Sequence, residues 1–251
     1  MQLFKGNAGY LLFVGIVIFG TWLTSDETGG LSFNAIFGSQ ISDSADDRDD
    51  IEEIYQRARE FDANGEFEEA VAQYSEIIER RPRDATAYEG RCWAYYHMDK
   101  DDLAISDCTS ALEINPEYVD ALAIRCYTYE EIDLFDKAIA DCTKVMELDP
   151  DHAGVYTARA DAYRKLEDVD AALSDYNRAL ELDPKDSATY NNRALLHRDM
   201  GNDDLALQDY NRALDVFDPD VEYDSHVIWH NRGMVYADLG EYDKAIFDYR
   251  T

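Results

Sequence analysis

The sequence predicts an all-α solenoid built by stacking copies of one helix pair, and three observations carry that reading. Pro82, Pro116, Pro150 and Pro184 recur every 34 residues. Each closes a near-copy of one segment; the copies ending at Pro116, Pro150 and Pro184 read DLAISDCTSALEINP (102–116), DKAIADCTKVMELDP (136–150) and DAALSDYNRALELDP (170–184), and a later one ending at Pro219 reads DLALQDYNRALDVFDP (204–219). Within each copy, small and aromatic residues alternate at helical rather than strand spacing. A repeat of this length is one supersecondary unit that cannot bury its apolar face alone, so neighbours must stack and the core grows along one axis.

From Ile51 onward the pattern divides into six units: 51–84, 85–118, 119–152, 153–186, 187–220 and 226–251, the last incomplete. The first helix of each unit, helix A, carries a large residue at the fourth position (Ile54, Tyr88, Leu122, Tyr156, Tyr190, Trp229). A small one follows at the eighth (Ala58, Cys92, Cys126, Ala160, Ala194, Gly233) and mostly a ring at the eleventh (Phe61, Tyr95, Tyr129, Tyr163, His197, Tyr236). Spacings of four and three place these on one stripe, and the small residue admits a second helix at close range. Helix B answers with alanine at the twentieth position throughout: Ala70, Ala104, Ala138, Ala172, Ala206 and Ala245. Asn64-Gly65, Gly201-Asn202 and Gly240 mark the turn between the two helices, and the proline ends helix B. Two irregularities stand out: one extra residue before Pro219, and an insertion, VEYDS (221–225), before the last unit.

These residues resemble the tetratricopeptide repeat family over 51–251. The resemblance implies a right-handed superhelix with helix A lining its concave side, and a protein or peptide segment as partner. The second, fifth, ninth, twelfth and thirteenth positions are then expected to present the groove. Its first half holds Glu89, Trp93, Tyr96, His97, Tyr127, Glu130 and Glu131; its second holds Thr157, Asp161, Arg164, Lys165, Asn191, Leu195, Arg198 and Asp199. Trp93, Tyr96 and Tyr127 are expected either to anchor an apolar or basic peptide segment or to pack between adjacent helices. Family members that capture chaperone tails share a lysine-asparagine-lysine-arginine groove set. Here the fifth and ninth positions of the first three units hold Tyr55, Arg59, Glu89, Trp93, Ala123 and Tyr127, so that clamp is absent.

A second periodicity concerns charge. Arginine holds the seventh position in every unit (Arg57, Arg91, Arg125, Arg159, Arg193, Arg232). Aspartate holds the twenty-third in five (Asp107, Asp141, Asp175, Asp209, Asp248), with Gln73 in the first. The expectation is a structural ladder tying helix B to its own helix A or to the next one, because a guanidinium matches a carboxylate with two parallel hydrogen bonds.

The formal net charge of −31 makes binding to nucleic acid or anionic lipid unfavourable. Cys92, Cys108, Cys126 and Cys142 sit inside the repeats without metal-like grouping, and buried free thiols are expected, with disulfides favoured instead in an oxidising compartment. No phosphate loop, nucleophile elbow or H-E-x-x-H segment occurs, and His226 and His230 read as residues at the edge of a terminal unit. The protein is therefore expected not to be an enzyme and to use no cofactor or metal. Carboxylates are scattered, and an open solenoid is expected to offer no enclosed place for shifting their pKa values.

Residues 1–25 are expected to form a signal anchor. Lys5 precedes an uncharged run from Ala8 to Leu23 that would span about 24 Å as a helix, against a hydrocarbon core of roughly 30 Å. Positive charge before the run and Asp26 and Glu27 after it put the repeats on the non-cytosolic, periplasmic or luminal side. Cleavage near Leu23-Thr24-Ser25 would instead release a soluble periplasmic or secreted adaptor, and the chain could also be the sensor or accessory part of a longer protein. Residues 26–50 are expected to be a flexible acidic linker.

Overall fold

The computed structural model describes residues 45–217 and 225–251. The apolar run and most of the expected linker lie outside them. Twelve α-helices are formed among the described residues: α1 (Ala45–Asn64), α2 (Phe67–Arg80), α3 (Ala85–His97), α4 (Asp101–Ile114), α5 (Val119–Glu131), α6 (Phe135–Leu148), α7 (Ala153–Lys165), α8 (Val169–Leu182), α9 (Ser187–Asp199), α10 (Asp203–Val216), α11 (Ser225–Asp238) and α12 (Tyr242–Asp248). The linker expected over 26–50 gives way to helix at Ala45. Once a helical turn is nucleated, adding residues to its end costs little.

Local chemistry sets the helix ends. Asp84, Asp168 and Asp186 cap α3, α8 and α9, each accepting a hydrogen bond from an amide three residues on. Before the closing prolines, Asn115, Asp149 and Asp183 accept from the amides of Glu117, Asp151 and Lys185, which folds the chain back into the next unit. Each turn from odd- to even-numbered helix passes through one left-handed residue at the fifteenth position. Gly65, Gly201 and Gly240 supply it without steric cost, while Asp99 (φ 53°), Asp133 (φ 60°) and Glu167 (φ 62°) adopt it despite a side chain.

From α2 to α12, each helix packs on the next along the chain, and α3, α5, α7, α9 and α11 also pack on one another in series. No pair of even-numbered helices is comparably close among the described residues. The odd-numbered helices are thus the more tightly spaced layer. The repeated alanines at the twentieth position are all buried, as are the residues at the eighth.

Two further buried positions form the seam between units. Ala87, Ala121, Val155, Thr189 and Ile228 occupy the third position, and Ala94, Thr128, Ala162, Leu196 and Val235 the tenth. In the first unit the same positions are Glu53 and Glu60, both exposed. Seven residues apart on one helix, these sites share a face, and burial there requires a preceding unit.

The expectation of free thiols is corrected: Cys92 is bonded to Cys108 and Cys126 to Cys142, with Cα atoms 5.4 and 5.5 Å apart. Each bond joins the two helices of one unit, between the eighth and twenty-fourth positions. In other units a small residue and a buried tyrosine share one core cluster at these sites: Ala58 with Tyr74, Ala160 with Tyr176, Ala194 with Tyr210. A linked cysteine pair replaces the small-plus-large pair.

Candidate functional site: the face of the odd-numbered helices

The arginines and aspartates of the ladder meet within each unit. Arg91 donates to Asp107 from Nε at 2.6 Å and from Nη2 at 3.0 Å. Arg125 with Asp141, Arg159 with Asp175, Arg193 with Asp209 and Arg232 with Asp248 repeat that fork at 2.7 to 3.0 Å. Arg57 makes one bond, to the Gln73 amide oxygen at 3.1 Å. The remaining nitrogen, Nη1, crosses to the preceding unit, where Ser75, Thr109, Thr143, Asn177 and Asn211 accept at 2.6 to 3.0 Å. Each of these arginines therefore ties its own helix pair to the pair before it. Rings at the fourth and eleventh positions flank the guanidinium, as Trp229 and Tyr236 do for Arg232. The insertion before the last unit leaves this geometry unchanged, although Arg232 and Asn211 are 21 residues apart rather than 16.

On the opposite edge of the odd-numbered helices lie the expected groove residues. Trp93, 37% exposed, stands edge-on to His97 with ring centroids 4.1 Å apart, and His97 stacks on Phe67 at 5.0 Å. Tyr96 is 6.2 Å from Trp93 and 6.5 Å from Tyr127, which in turn is 6.5 Å from His152. These rings form one run from the first unit to the last residue of the third. Tyr96 and Tyr127 are half-buried between helices, as expected of rings that pack there, whereas Trp93 keeps a free face. Gly154 makes room for Tyr127, because a Cβ there would stand 2.6 Å from the tyrosine oxygen.

Carboxylates accompany the rings. Tyr96 donates to Glu131 at 2.8 Å, joining α3 to α5. Burial pushes the Glu89 carboxyl up to about 7, helped by the negative charge of Asp120. Burial also pushes Glu130 up to about 7, with Asp161 and Glu131 adding to the effect and Lys165 and Arg164 opposing it. The expectation that an open solenoid leaves carboxylates unshifted is thereby corrected. Side chains of successive odd-numbered helices crowd the acids enough to strip water from them.

The second half of the face is wired differently. Asp161 accepts from the Tyr176 hydroxyl at 2.6 Å and from Asn192 at 2.9 Å, with Arg164 3.6 Å away. Thr157 and Thr189 share a hydrogen bond at 2.6 Å, and Asn231 donates to Asn191 at 3.0 Å. Lys165 is exposed, and Arg198 lies 3.5 Å from Asp199. Arg164 and Lys165 thus act on Glu130 beside the aromatic run, and Arg198 stands one unit further on. Among the described residues no cluster of histidine, cysteine or carboxylate side chains is arranged to hold a metal ion.

Helix pairs stacked in series, with one helix layer presenting an open face, define the class of helical-repeat proteins. The chain belongs to the tetratricopeptide repeat family, whose profiles match residues 55–119, 120–152, 160–201, 187–217 and 226–251. No curated protein matches the sequence significantly. Among solved structures it is similar to PilF of Pseudomonas aeruginosa (TM-score 0.68, 15% identity, covering 80% of this chain and 90% of that one). A tetratricopeptide repeat protein of Parabacteroides merdae gives TM-score 0.65 at 19% identity, covering 86% and 81%. YrrB, described as a tetratricopeptide protein with an unusual peptide-binding site, gives 0.53 at 20% identity, covering 70% and 88%. At these identities the likeness concerns the fold.

Proposed function

We propose that this chain is a non-enzymatic interaction scaffold that binds an extended segment of another protein along the face of its odd-numbered helices. The observation that carries this reading is the aromatic run from Phe67 to His152, on which Trp93 keeps a free ring face beside half-buried acids. Rings of this kind give contact area at low entropic cost, and neighbouring carboxylates favour a basic residue in the segment. The peptide-binding site named for YrrB supports the same class of partner. Capture of partners from a detergent extract by the wild-type chain and by Trp93→Ala, followed by titration of the captured segment, tests it. A loss of affinity of about tenfold or more in Trp93→Ala is expected; equal affinity rejects the anchor.

The same reading makes the chain a single-pass membrane protein with its repeats outside the cytosol. Lys5 before the apolar run Ala8–Leu23, the acidic residues after it and the two disulfides all favour that arrangement. Among the described residues no helix is long and apolar enough to cross a membrane, so the anchor rests on the run alone. Sequencing the mature amino terminus separates a retained anchor from a cleaved leader.

A further inference from the structure

Tyrosine recurs at the twenty-fourth position, and its hydroxyl is accounted for in two units by an acid on the partner-binding face. Tyr74 donates to Asp62 at 2.6 Å and Tyr176 to Asp161 at 2.6 Å. Tyr210 occupies the same position in the fifth unit, is 0% exposed, and its hydroxyl has no partner. The reason is visible in the sequence of α9. Where Asp161 stands at the ninth position of the fourth unit, the fifth carries Leu195, and where Asp62 stands at the twelfth position of the first, it carries Arg198. Burial raises this phenol to about 12, and the charges acting on it are Arg198, Asp199 and Arg164. Arg164 comes from α7, and its Nε is likewise buried without a partner. Asp199 is the one negative group acting on the phenol, 3.5 Å from Arg198, while Arg164 also lies 3.6 Å from the buried Asp161. Asp199 is exposed, at the rim.

A buried hydroxyl and a buried guanidinium nitrogen left unpaired cost free energy that a matching acceptor would recover. The acceptor that suits a phenol between two arginines is an anion, and a carboxylate meets guanidinium groups with directed, charge-assisted bonds. The face continues past this point to α11, where Asn231 reaches back to Asn191, so a bound segment can run through rather than end here. We propose that the stretch between α7 and α9, backed by Tyr210 and flanked by Arg164 and Arg198, is a subsite for an aspartate or glutamate side chain of the bound segment. The carboxylate rests on Arg198 and, by displacing the side chains that cover the fully buried Tyr210 hydroxyl, comes to accept from it. This rests on the groove reading above and adds a polarity to it: a basic or aromatic residue at the second and third units, an acidic one at the fourth and fifth. Its residues stand at the twelfth and twenty-fourth positions, not at the fifth and ninth where the tail-capturing clamp is missing.

The test is a positional library of short, terminally blocked peptides, each position fixed in turn as aspartate, asparagine, lysine or alanine, panned against the full chain in detergent. Wild type, Tyr210→Phe and Arg198→Gln are compared, with thermal melting to show that both variants are folded. We expect one position to prefer aspartate over asparagine about tenfold, the worth of one charged hydrogen bond, and both variants to lose that preference while keeping any aromatic or basic preference elsewhere. An unchanged aspartate preference in both variants overturns the subsite, as does equal selection of asparagine. A peptide with a free terminal carboxylate and no internal acid, binding as tightly and as dependently on Arg198, transfers the site to chain ends and overturns the side-chain assignment. Selection at the aromatic stretch without any acidic position rejects the subsite alone; no selection at all rejects the groove reading and the subsite together.

Discussion

Arg125 grips Asp141 with two parallel hydrogen bonds, of 2.7 and 3.0 Å, while its third nitrogen reaches back to Thr109 in the unit before. One side chain thus sets both the spacing within a pair and the spacing between pairs. With both partners mostly withdrawn from solvent, the planar fork matters more than the charge alone.

Lysine can satisfy one of these three bonds at a time. Arg125→Lys is expected to cost about 1–3 kcal/mol in urea unfolding, whereas Arg57→Lys, an exposed residue whose partner is the neutral Gln73, stays within about 0.5 kcal/mol.

The tyrosines of the twenty-fourth position should respond oppositely to loss of their hydroxyls. Tyr176→Phe strands the buried Asp161 and is expected to cost about 1–2 kcal/mol. Tyr210→Phe removes an unpaired hydroxyl and should be neutral or stabilising by up to about 1 kcal/mol. Paired thermal melts of the two variants check this.

Glu89 makes stability depend on pH in a predictable direction. Its carboxyl is raised from 4.5 to about 7 on folding, so its contribution is fully present below pH 4.5 and is lost as pH rises to about 7. Glu89→Gln should therefore match wild type near pH 4 and exceed it by about 1 kcal/mol at pH 8, less than the full linkage because the site opens on solvent. Chemical denaturation at the two pH values measures the difference.

Glu167 holds a left-handed backbone at a position where three units use glycine. Glu167→Gly is expected to gain about 0.5–1 kcal/mol, the relief of strain exceeding the extra freedom of the unfolded chain. Asp133→Gly should gain less, because aspartate tolerates this region better.

Reduction of the two disulfides releases loops with cysteines 16 residues apart, each bond being worth about 3 kcal/mol by chain entropy. A clear drop in melting temperature with reductant is expected, and thiol titration of the denatured, unreduced chain should find none free. Free thiols there would contradict the assigned bonds.

The helix pairs were legible because a period of this length forces the same contacts upon every copy, and the recurrence of Ala70 at Ala104 and Ala138 marks one of them. The arginine–aspartate spacing was legible for the same reason, but its third bond was not. Its acceptors change type, from Ser75 through Thr109 to Asn177, and only their shared ability to accept a hydrogen bond unites them. Ala87 and Ala94 looked unremarkable in sequence; the exposed Glu53 and Glu60 of the first unit would have flagged those positions as contacts to a preceding unit. The raised acids were hidden because crowding between successive odd-numbered helices depends on packing distance, which spacing along the chain does not report. The cysteines shared two repeat positions, yet whether those positions faced each other depended on how α3 lies on α4.

The joints of this array also differ in compliance. At the first three, the arginine nitrogen rests on hydroxyls of Ser75, Thr109 and Thr143, whose acceptor lobes turn with the rotating hydrogen; at the last two it rests on the amides of Asn177 and Asn211, whose oxygen favours donors near one plane. Torsion applied along the rod would be taken up at the early joints and resisted at the late ones. The stretch bearing Trp93 would then change its pitch under load, while the stretch beside Arg198 keeps its own.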